Sequence, residues 1–334
     1  MQTQYAQTRY DVVAIGNALM DIIAPVSDAF LQEHAIPKGG MDLVDEPRAL
    51  ALDPLLRHAG EVTVTAGGSA ANTVAGVAEL GLRAAYVGKV GDDATGRAYS
   101  REMAESGLHF STRPGTDAPT GRCLVAVTPD GERSMSTFLG ISPMFTKADV
   151  DDELIRNSAT LYLEGYLFND DATKAAFVHA AEVARAAGRK VALTLSDTFC
   201  VASHRAGFRQ LVEHGVDTVF SNEAEALALW DTDDLDTALG RFASAGVLAF
   251  VTRGPDGATV VQGQTRHHVP TQHSGAVVDT TGAGDQFAAG ALAGLAMGLD
   301  AADAARLGNV AAGEVIGHYG PRPERSVHDL AVRS

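Results

Sequence analysis

Asp279-Thr280-Thr281-Gly282-Ala283-Gly284-Asp285 runs straight into an apolar stretch at 287–299. Small residues at 282–284 let the backbone bend tightly and bring several N–H groups close to a ligand. An apolar run after them sets those groups at a helix start, where unpaired donors and the helix dipole favour an anion. A carboxylate beside such a cradle repels phosphate. It is better suited to taking a proton from a hydroxyl that attacks phosphate. Asp285 is equally readable as an ordinary N-cap after a glycine turn.

Other polar clusters close candidate strands, where ligands of open α/β sheets bind. Gly16-Asn17-Ala18-Leu19-Met20-Asp21 follows the strand expected at 11–16. Its spacing is wrong for a dinucleotide fingerprint. Asp21 could accept two hydrogen bonds from a sugar's vicinal hydroxyls, or simply cap a turn. Gly67 and Gly68 open a helix after a strand at 61–65, with Asn72 one turn in. They read as a plain turn or as backbone laid against a substrate. Asn222 and Glu225 share a helix face; they could place hydrated Mg²⁺ and phosphate, and they also form a capping box. Thr252-Arg253-Gly254 and Asp256-Gly257 close a strand as a nucleotide-pocket wall would. Arg133 opens the second strand of a hairpin, where a solvated arginine is the plain alternative. The histidines show no HxxxH or HExxH pair, and His267 and His268 point to opposite faces of a strand. Walker A and GxSxG motifs are absent.

Elements able to hold these residues alternate strand and helix. Strands are expected at 84–90, 160–164, 190–195, 218–221, 248–252 and 259–262, and helices at 70–80, 94–106, 173–187 and 235–245. Such alternation indicates a mostly parallel sheet covered on both faces. Segments near 18–44 and 108–140 break the rhythm, the second with a hairpin turning at Pro129-Asp130-Gly131. Paired in space they would make a small separate sheet, a lid. Gly290, Gly294 and Gly298 recur every four residues and would let the last apolar helix lie close to a neighbour.

The 334 residues are 46% hydrophobic and 20% charged, enough for one large α/β core. A formal net charge of −16 opposes nucleic acid and anionic membranes. It leaves room for a phosphorylated small molecule held by local N–H groups and Mg²⁺. Cys123 and Cys200 are the only cysteines, which suits reduced thiols in the cytoplasm. The polar start at 1–10 carries no apolar signal region, and the stretch 286–299 is too short to span a bilayer. A soluble protein is expected.

With the 67–72 segment, Asn222-x-x-Glu225 and the 279–285 heptapeptide in this order, the chain resembles the ribokinase or pfkB family of sugar and nucleoside kinases. Within it the adenosine kinases are most similar, through the 16–21 segment and Pro119-Thr120-Gly121-x-Cys123 followed by Arg133-Ser134. The resemblance implies a ribokinase-like three-layer α/β sandwich with a β-sheet lid. The core would be 1–17, 45–107 and 141–334, and the lid 18–44 and 108–140. It implies ATP-dependent phosphorylation of a nucleoside 5′-hydroxyl, adenosine foremost, with a sugar, inosine or guanosine as the alternative acceptor. Asp285 resembles the base, the N–H groups of Gly282, Ala283 and Gly284 the anion hole, and Arg133 a lid arginine reaching the γ-phosphate. Asn17, Asp21, Gly67, Gly68 and Asn72 would hold the ribose, and Met135 and Leu139 the base. Thr252, Gly254, Gly257, Thr281, Asn309 and Asn222 would wall the ATP site, with Asn222 and Glu225 organising Mg²⁺ through water. A monovalent cation such as K⁺ beside Asp279 and Thr281 also follows from the resemblance. Monomer and homodimer both stay open. A nucleoside-binding protein without turnover is the rival from another class, and a dinucleotide oxidoreductase a more distant one.

Overall fold

The computed structural model describes residues 8–110, 112–271 and 275–331. Residues 1–7 of the polar start lie outside the described residues. The strands are β1 (Tyr10–Ile15), β2 (Leu19–Pro25), β3 (Met41–Leu43), β4 (Thr63–Gly67), β5 (Ala84–Val87), β6 (His109–Phe110) and β7 (Thr120–Val127). They continue as β8 (Arg133–Gly140), β9 (Ser158–Glu164), β10 (Lys190–Thr194), β11 (Thr218–Asn222), β12 (Leu248–Thr252), β13 (Ala258–Gln262) and β14 (Thr265–Val269). Nine form the main sheet in the order β14-β13-β12-β11-β10-β9-β1-β5-β6, parallel from β6 to β12 and closed by two antiparallel strands.

Alternate residues of each central strand face opposite layers, as a pleated strand requires. Val13 and Ile15 join Leu161, Leu163 and Val191 in one core with helices Asp171–Ala186, Thr198–His214 and Leu235–Ala245. Val12, Ala14 and Tyr162 join the other core, with helices Ser69–Glu79, Ala94–Glu105, Ala283–Ala296 and Ala301–Val315. The expected three-layer architecture is the observed one.

The second sheet runs β3-β8-β7-β2-β4. One face buries Ile22, Ala24, Leu124 and Ala126 under Ala49, Leu52 and Leu56 of helix Glu46–Ala59. Residues of the opposite parity on the same strands, Leu19, Asp21, Cys123 and Val125, face a cleft over the main sheet. This lid is larger than expected. Strand β4 pairs with β2, and helix Glu46–Ala59 packs on the lid, so residues 46–67 belong with it rather than with the core. Strand β6 instead pairs with β5 at the edge of the main sheet. Long-range pairing decided both, and local pattern carries no trace of it.

Helix Ala283–Ala296 lies against helix Ala301–Val315 through two of the three spaced glycines. A Cβ at Gly290 would fall 2.6 Å from the Leu307 carbonyl oxygen, and one at Gly294 2.8 Å from the Ala304 Cα. Gly298 differs: it lies past the helix end at φ +87, with open space around it. Among the described residues no helix is long and apolar enough to cross a membrane.

Candidate active site

The loop at 279–282 is bent by Asp279, which is fully buried. Its Oδ1 accepts from the Thr281 N–H (2.8 Å) and hydroxyl (2.6 Å), and its Oδ2 from the Gly320 N–H (3.0 Å). Gly282 then turns at φ +78 into the helix, and a Cβ there would meet Pro321 Cα at 2.6 Å. Only glycine fits. A Cβ at Gly284 would meet nothing within 4 Å, so no protein atom demands glycine there. The N–H groups of Gly282 and Gly284 have no partner among the described residues, and stand at the positive end of the helix dipole. The third expected donor is different: the Ala283 N–H gives its bond to the Thr280 carbonyl at 3.2 Å.

Asp285, in the first turn of this helix, is held by the neighbouring helix Ser69–Glu79. Its Oδ1 accepts from the Ser69 hydroxyl at 2.7 Å, its Oδ2 from Asn72 Nδ2 at 3.1 Å. Burial raises its pKa, opposed by these two bonds and by the charge of Arg133. Ser69 and Asn72 are three apart on helix Ser69–Glu79 and so share a face. Asn72 Oδ1 is buried with no partner, an acceptor left for a ligand. The double glycine ahead of this helix is sterically required. A Cβ at Gly67 would strike the Asp21 carboxylate at 1.9 Å, and one at Gly68, whose φ is +98, the Asn17 carbonyl oxygen at 2.0 Å.

Asp21 is 6% exposed, and its carboxylate has no hydrogen-bond partner among the described residues. Burial, then the nearby charge of Asp285, pushes its pKa up to about 8, with Arg322 opposing. Glu164 is a residue that motif reading missed. Fully buried at the end of β9, it accepts the Asn17 N–H (3.0 Å), Asn17 Nδ2 (2.9 Å) and the Ala70 N–H (2.7 Å). It thereby fixes the segments at Asn17 and Ala70 to the sheet. The available signal was a carboxylate closing an otherwise apolar strand. Ser69 was also unassigned, as was Ser196, a cleft residue in the sparsely populated left-handed region at φ +72.

Asn17, Asp21, Gly68, Ser69, Asn72, Glu164, Ser196 and residues 280–285 line one cleft of about 760 Å³ between lid and main sheet, whereas Gly67 and Asp279 are not part of its wall. Leu19, Met41, Leu43, Val125, Met135 and Leu139 wall its lid side, with Tyr166 and Phe199 opposite. Asn222, Glu225, Thr252, Gly254 and Thr281 line it as well. Asn222 and Glu225 form a full capping box: Nδ2 to Oε1 at 2.7 Å, the Asn222 N–H to Oε2 at 3.0 Å, and the Glu225 N–H to Oδ1 at 2.8 Å. Burial pushes the Glu225 pKa up to about 7. Arg133 Nη1 donates to the Thr280 carbonyl at 3.4 Å, and the Thr280 hydroxyl returns a bond to the Gly131 carbonyl at 3.4 Å. The lid hairpin thus rests on the 279–282 loop. Two expected ATP contacts are not brought to the cleft. Gly257 makes a turn against the Val269 carbonyl, where its Cβ would clash at 2.1 Å. Asn309 Nδ2 donates to the Val269 and Pro270 carbonyls, each at 3.1 Å. Both hold the strand behind the cleft.

The sequence pattern of pfkB family carbohydrate kinases matches residues 11–326. The chain belongs to the pfkB family. It is similar to adenosine kinase from Sinorhizobium meliloti (46% identity, TM-score 0.92, covering 97% of this chain and 99% of that one). A probable sugar kinase from Rhizobium etli shares 41% identity at TM-score 0.92, with 98% of each chain covered. Adenosine kinase of Saccharomyces cerevisiae is 28% identical over 93% of this chain and 96% of its own. A pfkB-family chain is a phosphotransferase, and these kinases use ATP with Mg²⁺. Among the described residues no group of three or more His, Cys, Asp or Glu could cage a metal. The donor set here fits a hydrated Mg²⁺ carried mainly by phosphate oxygens, which is how this ion is usually held. Each Glu225 carboxylate oxygen already accepts one bond from Asn222 and keeps a lone pair for a further donor.

Proposed function

We propose that this pfkB-family kinase transfers the γ-phosphoryl group of ATP to the 5′-hydroxyl of a purine nucleoside, adenosine foremost. The observation that carries the reading is Asp285, aligned by Ser69 and Asn72 beside the free N–H groups of Gly282 and Gly284, in one cleft with Asp21. Asp21 accepts the two vicinal ribose hydroxyls. Asn17, its Nδ2 already given to Glu164, offers its carbonyl oxygen, and Asn72 offers Oδ1. The acceptor's primary alcohol then lies by Asp285, which takes its proton as the phosphoryl group arrives, while the two free N–H groups and Arg133 meet the charge on that group. Bound Mg²⁺, held through water by Asn222 and Glu225, supplies charge neutralisation of the phosphates. The apolar lid wall with Tyr166 and Phe199 suits a flat heterocycle better than a free sugar. Similarity to adenosine kinases of two organisms supports this choice of acceptor.

An acceptor panel with ATP tests it. Adenosine should show the highest kcat/KM, ahead of inosine, guanosine and free ribose. Faster phosphorylation of ribose or another free sugar would favour the sugar-kinase reading that the Rhizobium etli likeness keeps open. Adenosine binding without ADP release from any acceptor would leave a binding protein.

The acceptor site also sets a pH dependence. Asp21 free of ligand holds its proton up to about pH 8, and a neutral carboxyl, with one oxygen turned donor, accepts from two hydroxyls far less well than a carboxylate. Because its pKa is raised, the competent charged form is scarce at low pH and grows as pH rises. kcat/KM for the acceptor should therefore climb and level off near pH 8, with proton release on binding. A flat acceptor profile between about pH 6 and about pH 8 would remove Asp21 from this role.

A further inference from the structure

Strand β4 is an edge of the lid sheet, and edge backbone groups are ordinarily left to water. Ala66 is an exception. Glu102 Oε1, from helix Ala94–Glu105, accepts the Ala66 N–H at 2.9 Å and the Thr65 hydroxyl at 2.6 Å. Arg322 donates Nη2 to the Ala66 carbonyl and Nη1 to the Ser106 hydroxyl at 3.1 Å. Arg322 and Glu102 are themselves 3.4 Å apart, with the arginine side chain 19% exposed. Two halves of one core ion pair thus take both backbone groups of a single lid residue.

That residue adjoins the acceptor carboxylate. Thr65 pairs with Asp21 across the strands, and Gly67 is the glycine against which the Asp21 carboxylate packs. The two residues before Arg322 reach the opposite side of the site. The Gly320 N–H binds Asp279, and Pro321 backs Gly282 and accepts from Gln286 Nε2 at 2.9 Å. One short segment therefore touches the anion-binding loop and the lid strand behind Asp21.

We propose that Arg322, paired with Glu102, is a positioning residue for the acceptor: it holds the 65–67 backbone against Asp21 and sets the charge around that carboxylate, while Gly320 and Pro321 tie it to the anion loop. The inference rests on the reading that Asp21 receives the acceptor. The charged groups around Asp21 are Asp285, Glu102 and Glu164, which favour its protonated form, and Arg322, which favours the carboxylate. Cys123, Tyr86 and Tyr99 also face it, and burial keeps them neutral.

Removing the two partners should shift the same titration in opposite directions. Arg322→Gln leaves three carboxylates around Asp21, so the acidic limb of kcat/KM for the acceptor moves to higher pH. The acceptor KM at neutral pH should rise about tenfold, the scale of one lost bond to a charged group, while the KM for ATP stays within about twofold. Glu102→Gln keeps an oxygen for the Ala66 N–H and the Thr65 hydroxyl but removes a negative charge, so the limb moves to lower pH. Arg322→Lys should bring the limb back toward wild type. A role confined to packing would weaken both glutamine variants without opposite shifts. Unchanged limbs, or shifts of the same sign in folded variants, would overturn the proposal. Asp21→Asn serves as the reference. If it leaves the acceptor KM unaltered, the acceptor reading falls and this inference with it. If it raises KM while Arg322→Gln does not, this inference alone fails.

Discussion

Asp285→Asn should lower kcat by at least ~10²-fold, the scale of a lost general base, while leaving nucleoside affinity nearly intact. An amide is nearly isosteric and can still accept from the Ser69 hydroxyl, so the 2.7 Å contact and the helix start should survive. It cannot take a proton. Its Nδ2 would also face the Asn72 Nδ2 that now donates to Oδ2 at 3.1 Å, a local mismatch that one flipped amide relieves. Acceptor affinity depends instead on Asp21, Asn17, Asn72 Oδ1 and the lid wall, and removing the Asp285 charge favours the Asp21 carboxylate rather than weakening it. Steady-state kinetics with calorimetry of nucleoside binding separates the two effects. Turnover at the wild-type rate would remove Asp285 from proton transfer, and lost nucleoside binding would assign it to substrate holding.

Gly282→Ala and Gly284→Ala should both cut kcat by about 10²-fold, the scale of one donor's contact with a developing oxyanion, which a shifted loop or an added methyl would prevent, but only the first should destabilise the fold. At 282 the new Cβ would stand at a φ of +78 and 2.6 Å from the Pro321 backbone. The loop must move, and a lower melting temperature should accompany the lost rate. At 284 the new methyl would meet nothing within 4 Å, so thermal stability should stay at the wild-type level. The methyl would instead occupy the space a phosphoryl group needs. A Gly284→Ala protein with unchanged kinetics toward ATP would mean that no ligand comes close to that backbone. An equal loss of stability in both would mean that 284 is a packing glycine as well.

Legibility followed the range of the forces involved. Strands β9, β10, β11 and β12, with helices Asp171–Ala186 and Leu235–Ala245, could be read because apolar periodicity and glycine stops act over a few residues, whereas helix Thr198–His214 between β10 and β11 was overlooked. The hairpin of β7 and β8 could be read from its Pro-Asp-Gly turn. Strand β4 could be found, but not the sheet it joins, because its partner β2 lies some forty residues earlier in the chain. Helix Glu46–Ala59 was overlooked although Asp45 caps it and Ala49, Leu52 and Leu56 keep helical spacing. In the site, residues carrying a glycine signature or a short motif stood out. Glu164, Ser69 and Arg322 did not, since each acts through a partner more than 90 residues away.

Sequence alone determined the family, the helix start with its carboxylate, and the glycines whose conformations no other residue accepts. These are local properties of φ, ψ and chemical type. Tertiary structure decided which amides remain free to meet an anion, the Ala283 N–H being given to Thr280 while those of Gly282 and Gly284 are not. It also decided which carboxylates hold their protons to unusually high pH. Burial and the neighbouring charges brought by distant segments set those values, and neither exists until the chain has closed around the cleft.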